Sequence, residues 1–130
     1  MSAEFEVQKA LYLAISGLGI TTYDVGPQAA DGGNAGVFPY AEVGDIVAAP
    51  FDTARETGFD LAARLHVRSR SGSKQEARDM LGAIYARLHR GTLVVTGYLT
   101  IDVLWQMSDV LREADGAFHG VAEYRITLTL

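Results

Sequence analysis

Phe59, Leu61, Ala63, Leu65 and Val67 fall on one side of an alternating run, and Asp60, Ala62, Arg64, His66 and Arg68 fall on the other. Successive side chains of a strand point to opposite faces, so the run predicts an antiparallel strand with one face packed and one free to bind. A short SGS turn follows. Ser73 and Glu76 then have capping-box spacing, and Ala77, Leu81, Ile84, Tyr85 and Leu88 recur at helical steps. The pattern predicts an amphipathic helix that lays its apolar stripe on the sheet and ends at Arg90-Gly91. Gln75, Asp79, Gly82 and Ala86 lie opposite that stripe. A glycine inside a helix costs about 1 kcal/mol relative to alanine, so Gly82, one turn before Ala86, is either a point of close backbone approach or a tolerated exposed residue. His89 lies at the helix C-terminus, where the dipole favours a cationic ring.

The rest of the chain falls into similar units. Val7, Ala10, Leu11, Ala14, Ile15 and Leu18 predict a first helix, with Ser2 as its cap, Glu4 in its first turn and Gly17 and Gly19 at its end. ITTYDV reads as a short strand and GPQAADGGNAG, 26–36, as a loop. VFPYAEVGDIVA, 37–48, reads as a strand with Pro39 at a start, an edge or a bulge. Leu99, Ile101, Val103 and Trp105 predict one strand face, and Ala122, Tyr124, Ile126 and Leu128 another, joined through a turn at Asp115-Gly116. The expected fold is α+β, with a mostly antiparallel sheet of four to five strands and both helices packed on one face.

The chain's 130 residues, 48% of them hydrophobic, suffice for one core, so a single domain over 1–130 is expected. No stretch reaches the ~20 apolar residues of a membrane span, and MSAEFEVQK carries acids where a signal peptide carries bases. A soluble, cytoplasmic product is expected, with no membrane partner. The absence of cysteine removes disulfides and thiolate metal ligands.

Catalytic chemistry has little to stand on. His66, His89 and His119 lack HxH or HExxH spacing, the glycines at 32, 33 and 36 lack a P-loop lysine, and Ser69, Ser71 and Ser73 lack a nucleophile elbow. No catalytic, metal or cofactor site is expected.

Charge is more informative. Residues 1–54 hold seven acids against one base, about −6, whereas 64–90 hold seven bases against two acids, about +5. Such polarity suits docking of one copy on another. It also suits a nucleic-acid-binding regulatory domain using the basic 64–74 surface. Against the latter, the face lacks interleaved aromatics for stacking and the pI is about 5.0.

YDVGP at 23–27, VFPYAEVGD at 37–45, HVRSRSGSKQEARDMLGAIYARLH at 66–89 and DGAFHGVAEYRI at 115–126 together resemble the tail completion proteins of long-tailed phages and phage-derived gene transfer agents. These are also known as tail terminators or head-tail joining proteins. The most specific part is the strand ending His66-Val67-Arg68-Ser69-Arg70, with the turn and helix after it. The resemblance implies a structural protein without enzymatic activity or cofactor. It implies a ring, commonly hexameric, that caps the tail tube, stops its polymerisation and joins it to the head connector or stopper protein. DNA passes through the ring without sequence recognition. The expected location is the virion or gene transfer agent particle, at the head-tail junction, with the host cytoplasm before assembly. Arg64, His66, Arg68, Arg70, Lys74, Gly82 and Ala86 are then the expected inter-subunit or channel surface. Arg68→Glu with Arg70→Glu is expected to weaken assembly and leave the monomer folded.

Overall fold

A computed structural model describes residues 2–23, 38–52 and 56–130. They form α1 (Ala3–Ser16), β1 (Thr22–Tyr23), β2 (Tyr40–Pro50), β3 (Gly58–Ser69), α2 (Gln75–Leu88), β4 (Leu99–Arg112) and β5 (Phe118–Thr129). The loop expected over 26–36 lies outside the described residues. The strands form one sheet in the order β1-β2-β3-β5-β4, antiparallel throughout except for the short parallel β1–β2 pair. The mostly antiparallel α+β fold follows the sequence expectation.

Alternation in β3 has the predicted result: Leu61, Ala63, Leu65 and Val67 are fully buried. Ala122, Tyr124, Ile126 and Leu128 of β5 lie beside them, also fully buried. Val7, Leu11 and Ile15 of α1 and Ala77, Leu81, Ile84 and Leu88 of α2 complete this single core. Gly120 brings α2 close, since a Cβ there would lie 2.6 Å from Val67 Cγ2 and 3.0 Å from Leu81 Cδ1. Ser2 caps α1 as expected, its hydroxyl accepting from Phe5 N at 3.1 Å. Among the described residues no helix is long and apolar enough to cross a membrane.

Three local expectations are corrected. The capping box does not close: Ser69 Oγ donates to Glu76 Oε1 at 2.5 Å, while Ser73 Oγ accepts only from Gln75 N at 3.4 Å. A buried strand-end hydroxyl therefore takes the carboxylate that the spacing assigns to the helix backbone. Tyr85 leaves the helix stripe and is exposed, and Met80 enters it. In β4, irregularities between Thr100 and Asp102 and between Trp105 and Met107 break the alternation. Val103 is buried, whereas Leu99, Ile101 and Trp105 are exposed.

The β4–β5 hairpin turns where the sequence places it. Gly116 adopts φ 87° and donates to Glu113 O, and Asp115 Oδ1 accepts from Ala117 N at 3.0 Å. The left-handed conformation favours glycine.

Candidate functional site

With both helices on one face, the other face of the sheet is uncovered by them. Arg64, His66 and Arg68 project there from β3, as the alternation predicts. Their partners come from β5 and its hairpin. Arg64 Nε lies 3.3 Å from Glu123 Oε1, Arg68 is ion-paired with Glu113, and Arg70 Nη2 lies 3.2 Å from Asp115 Oδ2. Arg125 of β5 returns the arrangement, gripping Asp60 of β3 through Nε at 2.8 and 2.9 Å as well as through Nη2. Arg70 also stacks over the Phe38 ring at 4.6 Å. The arginines of this face are therefore ion-paired within the chain, by Asp60 and by acids from 113–123 rather than by acids of residues 1–54. Lys74, beyond the strand end, is exposed.

At the centre of this ladder the imidazoles of His66 and His119 meet, with Nδ1 and Nε2 2.7 Å apart. One ring donates and the other accepts, which requires at least one neutral imidazole. Gly44 of β2 makes room, since a Cβ there would stand 2.6 Å from His66 Nε2. Burial pushes both rings below the ordinary histidine pKa. For His66, Glu42 and Asp45 oppose the shift, while Arg68 and Arg64 add to it. For His119, Arg68 and His66 add to it and Glu113 opposes it.

A histidine with a depressed folded pKa stabilises the fold fully above its unfolded pKa of about 6.5, and that contribution is lost as pH falls through the folded value. Thermal melts are expected to show falling stability from pH 7 towards 5, and His66→Gln with His119→Gln is expected to flatten that slope. An equal slope in the double variant would refute the assignment.

Gly82 and Ala86 lie on the outer side of α2, away from the ladder, and nothing comes within 4 Å of a Cβ built at Gly82. The structure thus separates the seven candidate residues, Arg64, His66, Arg68 and Arg70 on the ladder and Gly82 and Ala86 across the domain, with Lys74 at the turn between. Sequence reasoning placed Asp60 on this face without a partner and missed Glu113, Asp115, His119, Glu123 and Arg125, which complete the ladder. The only available signal was a second polar stripe, His119, Glu123 and Arg125, on the alternate positions of β5. Among the described residues no group of three or more histidine, aspartate and glutamate side chains is placed to hold a metal ion.

A second surface lies at the sheet's β4 edge. His89 Nδ1 accepts from Trp105 N at 3.0 Å. Arg90 N donates to Val103 O at 2.7 Å, and Asp109 Oδ1 accepts from Val110 N at 2.8 Å. The His89 ring stacks on Tyr85, which meets Trp105 edge-on. Several main-chain groups on this outer edge are therefore already engaged.

Comparison with known proteins is consistent with the sequence resemblance. The family described as tail completion protein gp17 matches residues 17–129. A chain in a solved structure described as the virion of a native gene transfer agent (GTA) particle shares the fold, with a TM-score of 0.80 at 16% identity over 95% of each chain. No curated protein matches by sequence.

Proposed function

The chain belongs to the tail completion protein gp17 family, and from that premise we propose that it forms a closed hexameric ring capping the tail tube. The ring stops tube polymerisation and seats the head connector or stopper protein. The family match over residues 17–129 carries this reading. Membership itself makes the chain a structural protein of the virion tail; the ring and its partners are the proposal.

In this ring the face bearing Arg64, His66, Arg68, Arg70 and Lys74 is turned to the channel, and Gly82 and Ala86 are turned away from it. Arginines already balanced by carboxylates release few counterions on meeting phosphate, so they hold DNA weakly. That suits a channel through which DNA passes without sequence recognition.

Added to its polymerising tail tube protein, the chain is expected to shorten the tubes and to appear as a ring at one end in negative-stain images. Unchanged tube lengths with bare ends would overturn the proposal. Gel shifts at near-physiological salt separate the alternative regulatory reading, which requires micromolar or tighter binding with a steep salt slope.

A further inference from the structure

The two flanks of the sheet carry unlike apolar surfaces. On the β1 flank, α1 has a second stripe besides its buried one: Phe5, Lys9 and Tyr12, at i, i+4 and i+7. Phe5 is 56% exposed and Tyr12 37%, and Lys9 lies over the Phe5 ring with Nζ 5.6 Å from its centroid. On the β4 flank, residues 91–95 and 98–101 line a groove of about 450 Å³. Its apolar wall includes Val94, 80% exposed, Leu99, 67%, and Ile101, 52%. Arg90 and Asp102 join Ile101 around an adjoining recess.

We infer that the α1 stripe of one copy seats in the β4-flank groove of the next. Phe5 and Tyr12, two turns apart on one helix face, are apolar anchors of the kind a helix lays in such a groove, with Lys9 between them. The polar rims carry both signs, since Glu4 and Lys9, the latter also paired with Glu6 at 3.2 Å, accompany the stripe and Arg90 and Asp102 border the groove. Strand addition at this edge is opposed by the main-chain bonds from His89, Arg90 and Asp109 described above. The contact therefore rests on side chains. Because stripe and groove lie at opposite ends of one sheet, the contact is head-to-tail, the class that closes into rings. α1 precedes the family-matched residues, so this surface goes beyond what family membership assigns. The inference rests on the ring reading and supplies its subunit contact.

The test uses two exposed-site variants, Phe5→Glu with Tyr12→Glu, and Val94→Glu with Ile101→Glu, beside the wild type in sedimentation velocity and mass photometry. Each variant is expected to keep the wild-type circular dichroism spectrum and to lose self-association by more than about 30-fold, as for hot-spot anchors. Mixed in equal amounts, the two variants retain one intact stripe and one intact groove between them. They are expected to form a one-to-one heterodimer and no larger species. Should a variant fold poorly, Phe5→Ser with Tyr12→Ser and Val94→Ser with Ile101→Ser take its place with the same expectation. Folded variants that still form rings overturn this contact while leaving the ring reading intact, and so does a mixture that stays monomeric. A wild-type chain that remains monomeric alone and also leaves tube ends bare overturns the contact and the ring together, whereas rings that fail to shorten tubes overturn only the capping role.

Discussion

Leu65→Ala is expected to lower the free energy of unfolding by about 3 kcal/mol, within the range for emptying a well-packed core site. Leu65 is fully buried in the middle of β3, between β2 and β5 in the sheet, where little can collapse into the space. Its neighbour Arg64 points to the opposite face, and its ion pair with Glu123 is exposed. Arg64→Ala is accordingly expected to cost no more than about 1 kcal/mol. Urea titration of both variants measures the contrast directly. Equal losses would mean that β3 does not divide the molecule into a packed and an open face.

Arg68→Glu is expected to cost about 1–2 kcal/mol, well above an ordinary surface substitution. It removes the ion pair with Glu113 and sets two carboxylates against each other, with Glu42 diagonally across on β2, opposite His66. Arg68 retains only 25% of its side-chain exposure, so water relieves that repulsion incompletely. Combining it with Glu113→Lys restores opposite charges in reversed order and is expected to recover most of the loss, a coupling that a double-mutant cycle measures. Failure of the second substitution to rescue the first would remove Arg68–Glu113 from the ladder. The same geometry revises the expectation for Arg68→Glu with Arg70→Glu. Those two reversals meet Glu113 and Asp115 within their own chain, so the monomer is not left untouched and any change in assembly must be compared with its melting curve.

Period-two and helical spacing made both layers legible because burial acts on each residue through its own element. Leu61 to Val67 and Ala122 to Leu128 could be assigned to the core without knowing which strands pair. The ladder required that knowledge. Arg64 and Glu123 are 59 residues apart, and only the β3–β5 register sets them opposite each other. Charge totals over long segments pointed instead to the N-terminal acids, since such totals carry no register. Trp105 shows a different limit. Two irregularities in β4 displaced its neighbours from the alternation, and no glycine or proline lies within β4 to signal them.

His89, Arg90 and Asp109 have a bearing on what happens before assembly. An unpaired strand edge is a template on which further chains deposit, and a subunit waiting in a crowded cell meets many candidates. By engaging edge groups at Val103, Trp105 and Val110 from within the same chain, the fold discourages such deposition without lysines or prolines along the edge. In the proposed role this separates two kinds of growth. The finished structure can gain a terminal layer through side-chain complementarity, while its free subunits remain poor seeds for fibres.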